Sequence, residues 1–208
     1  MSRASRSDGA LTRARILEAA GTLIAKQGFA QTTNKQVASA ADVDLAAINY
    51  HFHGRDGLYL AVLSEAHQYY LYGSEIEALV ECTLPPDEKL GAFLEICLPR
   101  LAEQNSWHGC VYTRELLSPS PLFNDFMQTE GRGKRQAMLK LISQIAGLEE
   151  DDPLVLLCFL SIVGPCMMLM VAGKFTFSPI NTLADTMSHA ELVAHFKQFT
   201  LAGLRSFR

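Results

Sequence analysis

Apolar residues recur at helical spacing from one end of the chain to the other, which predicts an all-α protein. The most telling stretch is Thr32 to Gly57, TTNKQVASAADVDLAAINYHFHGRDG. Val37, Ala38 and Ala41 mark the apolar face of a short helix running about Lys35 to Ala41, with Thr33 placed to accept hydrogen bonds from its first backbone N–H groups. Asp42 breaks that run, Asp44 is a second N-cap, and Leu45 to Phe52 follow with Ile48 and Phe52 four apart. Two short helices joined by a tight turn are a helix-turn-helix, whose second helix enters the DNA major groove. Leu45, Ala46, Asn49 and Tyr50 are then the groove-facing candidates.

The rest of the chain supplies helices to hold this element. A first helix, about Thr12 to Gln27, carries Ile16, Ala20, Leu23 and Ile24 as one apolar stripe; Gly28 ends it, and Phe29 can fold back to plug a three-helix core. A fourth helix is expected from about Asp56 to Val80, weakened at Gly73, and long enough to connect the N-terminal module to a larger body. Leu84-Pro85-Pro86 closes it, and a fifth starts at Asp87 or Glu88, with Pro99 near its end. Trp107 to Leu117 reads as a short helix. Ser120 caps the next, with Pro121 at its first position and the polar run Gly131-Arg132-Gly133-Lys134-Arg135 predicted as a solvated loop or bend. Leu154 to Gly173 holds no charge and is long enough to span a membrane. A single span there would leave the preceding amphipathic helices without partners, whereas a helix apolar all round suits packing inward on one side and on a twin subunit on the other. Lys174 to Met187, with Pro179, reads as a connection, and Ser188-His189-Ala190-Glu191 as a capping box opening the last helix.

Net charge changes this picture little: the chain is at −4 overall, but residues 1–60 carry 7 basic and 5 acidic residues, leaving 11 and 17 for the remainder. A mildly basic head of +2 on a body of −6 fits nucleic-acid contact confined to the head. Cys82, Cys97, Cys110, Cys158 and Cys166 lack metal-ligand or CxxC spacing, as expected of a reduced cytoplasmic protein. The polar N-terminus MSRASRSDGA has no apolar signal core; residues 1–10 read as a disordered leader, with Arg3 and Arg6 as the alternative of a minor-groove arm.

These residues resemble the TetR family of transcriptional regulators. The resemblance runs from Thr12-Arg13-Ala14-Arg15-Ile16-Leu17-Glu18-Ala19-Ala20 and Lys26-Gln27-Gly28-Phe29 through Ile48-Asn49-Tyr50-His51-Phe52 to Gly54-Arg55-Asp56-Gly57-Leu58. A second stretch, Tyr112-Thr113-Arg114-Glu115-Leu116-Leu117-Ser118-Pro119-Ser120-Pro121, is similar to the subgroup with a CecR-like C-terminal domain. Two positions depart from the family pattern. Asp42 stands where the turn usually has Gly, and Asp tolerates a left-handed backbone better than most residues. Arg55 stands where Lys usually precedes the fourth helix, keeping the charge. The resemblance implies a three-helix helix-turn-helix head at residues 11–56 and a larger ligand-binding and dimerisation domain at 57–208, about nine helices in all, pairing as a homodimer through the last two helices.

Candidate chemistry follows from this frame. Thr33, Lys35, Tyr50, His51 and Arg55 are phosphate candidates, which would set orientation; packing within the head is the plainer role for Tyr50. Asn49 can donate and accept, as adenine demands, while Leu45 and Ala46 can meet thymine methyls. The resemblance also implies a small-molecule pocket in the larger domain, for which Tyr69, Phe93, Cys97, Trp107, Tyr112, Arg114, Phe126, Met127 and Phe159 are the lining candidates, each with core packing or helix bridging as the alternative. No GxSxG elbow, Walker loop, HExxH or dinucleotide fingerprint occurs, and His51 with His53 lacks further ligands, so no enzyme activity, cofactor or metal is expected. The expected function is a cytoplasmic homodimeric regulator, most simply a repressor released from a palindromic double-stranded DNA operator by a small-molecule effector. The alternative is an all-α small-molecule binding protein or enzyme that does not read DNA.

Overall fold

The computed structural model describes residues 3–70, 75, 78, 79, 81–101, 106–172, 182 and 186–208, the side chains of residues 3–7 excepted. Among these residues nine helices and no strand are found: α1 (Arg3–Gln27), α2 (Asn34–Ala41), α3 (Leu45–Phe52), α4 (Arg55–Tyr70), α5 (Pro86–Leu101), α6 (Trp107–Leu117), α7 (Pro121–Ala146), α8 (Pro153–Ala172) and α9 (His189–Arg205). Gly73 and Pro179, and the arm expected of Arg3 and Arg6, lie outside the described residues or side chains. The chain forms two compact units, 1–67 with 106–127, and 68–105 with 128–208. The short helix α6 therefore belongs with the N-terminal unit, which differs from a division at residue 56.

In the N-terminal unit, α1 buries Ile16, Leu17, Ala20 and Ile24; α2 adds Val37, Ala38 and Ala41, and α3 adds Ile48 and Phe52. The expected stripe is present, with Leu23 only half-buried. Helix α1 begins at Arg3, whereas the apolar periodicity placed its start near Thr12. Between these positions Gly9 is the strongest opponent of a helix, at about 1 kcal/mol, and the neighbouring Ala and Arg residues are good helix formers. Thr33 caps α2 as expected, within a capping box completed by Gln36. Asp42 adopts the left-handed conformation at φ 50° and ψ 57°, and the N–H groups of Asp42 and Val43 reach back to Ser39 and Ala38. This is a Schellman-type end with Asp in the place usually taken by Gly. Asp44 stands at the N-cap of α3 with extended backbone, but its side chain makes no capping bond; its charge still favours the positive end of the helix.

Phe29 does not enter the three-helix core. It is half-buried and stacked on Tyr59 of α4 with ring centres 3.9 Å apart, and the Arg55 guanidinium lies over the Phe29 ring, 4.4 Å from its centre. The buried Tyr59 hydroxyl donates to Glu115 Oε1 on α6, and Glu115 Oε2 accepts from the N–H of Ser120 at 2.7 Å. Burial, then the Glu115 carboxylate, raises the Tyr59 phenol far above its ordinary value, so it remains a donor.

In the C-terminal unit, α5 packs on α8 and α9 and buries Leu90, Phe93, Leu94, Cys97 and Leu98. Gly91 makes room for Lys197 of α9: a Cβ there would lie 2.4 Å from Lys197 Cε. Asp87 accepts from Arg205 Nε at 2.9 Å, and Lys197 pairs with Glu95 at 3.5 Å. Helix α7 runs unbroken through Gly131 to Arg135, correcting the expected loop or bend. Arg132 and Arg135 face solvent while Met138 and Leu141 stay on the buried side, so the charges need no interruption of the helix. Asp152 Oδ1 accepts from the Leu154 N–H at 2.8 Å to start α8 at Pro153, and Ser188 with Glu191 forms the capping box of α9, both as expected.

The approach of α4 to α3 depends on Gly57, where a Cβ would fall 1.9 Å from the Phe52 carbonyl oxygen. Gly57→Ala is expected to lower stability by about 1–3 kcal/mol through backbone displacement. Denaturant unfolding checks this; a midpoint equal to that of the wild type would contradict the geometry.

Candidate functional site

The outer face of α3 is what the periodicity requires. Ile48 and Phe52 are fully or nearly fully buried, so Leu45, Ala46, Asn49 and Tyr50 point outward together, Leu45 at 50% and Tyr50 at 80% exposure. Tyr50 thus belongs to the outer face and not to the core. His51 is half-buried, its ring edge-on to Tyr50 at 4.9 Å and next to Gly9 of α1. Lys35 is exposed on α2, and the Arg13 guanidinium lies 5.0 Å from the Phe52 ring centre, bracing α1 against the end of α3. Exposed apolar, amide and phenol groups on one short helix can meet base edges, while a neighbouring cation meets phosphates.

Two phosphate candidates are engaged elsewhere. The Thr33 hydroxyl donates to Gln36 Oε1 at 3.0 Å and accepts from the Gln36 N–H at 3.3 Å. Arg55 Nη2 donates to the carbonyls of Phe29 at 2.7 Å and Ala30 at 3.1 Å while the guanidinium covers the Phe29 ring. Its charge suggested a phosphate, but exposed carbonyls after a helix end offer a preorganised acceptor. Sequence reasoning missed Arg15, whose Nε and Nη2 donate to the carbonyls of Ala41 and Asp42 at the turn between α2 and α3.

The ligand candidates divide between the two units. Trp107 stands on α1: its Nε1 donates to Glu18 at 2.8 Å, and a Cβ at Gly21 would lie 2.5 Å from its ring. Arg114 reaches the carbonyls of Ile24 and Ala25 at 3.4 Å, in the last turn of α1. Both, named from the sequence as candidate lining with helix bridging as the alternative, attach α6 to α1. Tyr112, Phe126 and Met127 meet around a histidine that sequence reasoning did not single out. The Tyr112 hydroxyl is 3.0 Å from His67 Nδ1 and 3.8 Å from Met127 Sδ, and Phe126 stands edge-on to the His67 ring at 5.3 Å. Burial pushes the Tyr112 phenol up to about 12. The signal was present in the helical register: His67 follows Leu63 by four positions on α4, and both are buried together with Ala66.

In the C-terminal unit Tyr69 is half-buried beside Tyr70, and Phe159 is half-buried on α8. Cys97 is a core residue, its thiol donating to the Tyr70 carbonyl at 3.3 Å. Burial pushes the Cys97 thiol up to about 12 and that of Cys166 up to about 11, so neither is a nucleophile at neutral pH. Phe93 lines a cleft of about 230 Å³ with Leu79, Lys89, Met138, Lys140 and Leu141.

Comparison with known proteins matches residues 16–62 to the bacterial regulatory proteins of the tetR family and residues 86–204, more than half the chain, to the C-terminal domain of the HTH-type transcriptional dual regulator CecR. The chain belongs to the TetR family of regulators with a CecR-like C-terminal domain. A probable HTH-type transcriptional regulator of Bacillus subtilis, YttP, is 31% identical over 121 residues, 57% of this chain and 56% of the relative. The chain thus matches little more than half the length of that curated relative. The fold is shared with the fatty acid degradation regulator FadR from Bacillus halodurans, at 19% identity and TM-score 0.67, covering 92% of this chain and 98% of that one. It is shared also with the ketosteroid transcriptional regulator KstR2 of Mycobacterium tuberculosis, at 17% identity and TM-score 0.63, covering 92% and 93%.

Within this TetR-family chain, the contact of α6 with α1 carries its own reporter, because Trp107 is the one tryptophan of the sequence. Gly21→Ala is expected to push the indole off α1, shift its emission to the red and lower stability by about 1–3 kcal/mol. Unchanged emission and unchanged unfolding would contradict the packing.

Proposed function

We propose that the chain works in the cytoplasm as a homodimeric repressor whose two α3 helices read an inverted-repeat operator and which a small-molecule effector releases. The observation that carries this reading is the outward set Leu45, Ala46, Asn49 and Tyr50 on a helix locked from behind by Ile48 and Phe52. Asn49 is the base reader, to adenine; Leu45 and Ala46 meet thymine methyls. Lys35, Tyr50 and His51 hold phosphates, with Thr33 and Arg55 contributing by fixing the backbone that presents them.

Dimer formation is supported by α8 and α9. Helix α8 buries Val155, Cys158, Ile162 and Cys166 on one side and exposes Leu156, Leu157, Leu160 and Met168 on the other; α9 exposes Phe199 at 74%. Gly164 and Gly203, where an added Cβ would meet nothing within 4 Å, leave space for close approach. Such an apolar helix passes the length and composition test for a membrane span, at mean hydropathy 2.6. Its two-sided pattern fits a four-helix bundle of two protomers better, one side on its own unit and one on the twin.

Release would follow from a change in the separation of the two α3 helices, which must lie about 34–36 Å apart, one turn of B-DNA, or a multiple of that. Helix α4 continues in sequence from the N-terminal unit into the C-terminal one, and an effector favouring a different tilt of α4 would shift the population away from the DNA-competent spacing. Effector and operator affinities are then coupled reciprocally. Tyr69, Phe93 and Phe159 are the effector candidates among those named from the sequence.

Asn49→Ala is expected to cost about 1–3 kcal/mol at one base pair and relax specificity there. Lys35→Ala should weaken all duplexes alike and reduce the salt slope by about one. Titrations of matched and mismatched duplexes at several salt concentrations separate the two; identical losses on every sequence would contradict the assigned roles. Leu157→Glu combined with Phe199→Glu should give a helical monomer without operator affinity, read by sedimentation and circular dichroism, and a persisting dimer would contradict the interface.

A further inference from the structure

The end of α3 that should meet base edges is the end with the least packing behind it. The buried side chains of α3, Ile48 and Phe52, lie in its second half, whereas Leu45 and Ala46 are exposed and Ala47 is half-buried. The Asp44 side chain makes no capping bond, so the first turn lacks the lock that Thr33 gives α2. A recognition helix nevertheless presents its N-terminal residues to the bases, and binding groups must be held to within about 0.5 Å of their productive places. The position of Leu45 and Ala46 therefore depends on the turn in front of them. That turn contains Asp42 at φ 50°, a conformation that a residue other than glycine keeps only where its surroundings hold it.

Arg15 of α1 does the holding. Its Nε donates to the Ala41 carbonyl at 3.1 Å, and its Nη2 donates to the Asp42 carbonyl at 2.6 Å and also reaches the Ala41 oxygen. One planar fork thus grips two successive carbonyls of the turn. A lysine keeps the charge but not this fork. The far end of α3 is braced separately, by the burial of Ile48 and Phe52 and by the Arg13 guanidinium 5.0 Å from the Phe52 ring centre. Freeing the turn from Arg15 therefore displaces the first turn of α3 and leaves its second half in place.

We propose that Arg15 determines operator specificity as a positioning residue, acting through the Ala41–Asp42 backbone to fix where Leu45 and Ala46 meet the bases. This inference rests on the reading of α3 as the operator-facing helix. A positioning residue and a phosphate contact leave different marks. Losing a phosphate contact weakens all duplexes alike and lowers the salt slope, whereas losing the position of a reading side chain lowers the preference for the right base and leaves the slope unchanged.

The test compares the full-length wild type with Arg15→Lys, which keeps the charge, and Arg15→Met, which removes it, both checked for folding by circular dichroism at the assay temperature. Each is titrated, at several salt concentrations, with the duplex the wild type selects and with its single-base-pair substitutions. Leu45→Ala and Asn49→Ala mark which base pairs each side chain reads. Both Arg15 variants should lose about fivefold or more in discrimination, the weight of one base contact, at the base pairs that Leu45→Ala relaxes. Both should keep the preference at the Asn49 base pair and the wild-type salt slope. Wild-type discrimination by Arg15→Lys, alone or together with a slope lowered by about one in Arg15→Met, would overturn the proposal and leave the operator reading standing. Equal losses at every base pair, the Asn49 pair included, would overturn it too. A wild type that does not discriminate among the duplexes removes the operator reading itself, and this inference with it.

Discussion

Carbonyl groups at helix ends have no partner within their own helix, and in this chain arginines from distant positions supply it. Arg114 covers Ile24 and Ala25 at the end of α1, Arg15 covers Ala41 and Asp42 at the end of α2, and Arg55 covers Phe29 and Ala30 in the turn after α1. Arg208 does the same for Ile145 at the end of α7, at 2.7 Å. A guanidinium suits this work because its planar fork can serve two carbonyls at once and its charge meets the negative end of the helix. The presentation of α3 depends on the set: Arg15 fixes the turn that leads into it, and Arg55 fixes the loop that precedes α2. Glycine completes the arrangement at Gly28, where φ is 89° and an added Cβ would lie 2.4 Å from Arg114 Nη1.

This constraint changes the meaning of the charge count. The head has only a small basic excess, and part of it points inward, onto carbonyls and aromatic rings. Sequence-independent attraction to DNA is then modest, since it grows with the number of phosphates neutralised. On the proposed reading, recognition leans on the outer face of α3 and on doubling through a dimer, which makes the exposed apolar side of α8 as necessary to the proposed function as Asn49.

What could be read from the sequence was local. The caps at Thr33, Asp152 and Ser188, the left-handed turn at Asp42 and the burial of Ile48 and Phe52 each involve residues within a few positions of one another. Periodicity and cap chemistry are written at that range. The same holds for the exclusion of Tyr50 from the core, where Ile48 and Phe52 already occupy the inward register. What could not be read was long-range. Arg15 and the Ala41 carbonyl are 26 residues apart, Trp107 and Glu18 are 89, and an arginine that binds carbonyls has the same sequence signature as one that binds phosphate. The placement of α6 with the N-terminal unit was not legible, because nothing in an eleven-residue amphipathic helix states which unit it packs on.

The central claim is that two copies of α3 read DNA sequence at a fixed separation. Selection of bound duplexes from a random pool by the purified protein at moderate salt tests it most directly. The account predicts enrichment of an inverted repeat whose half-site centres lie about one helical turn apart, or a multiple of it. Recovery of duplexes with no shared sequence, bound only in proportion to falling salt, would contradict it.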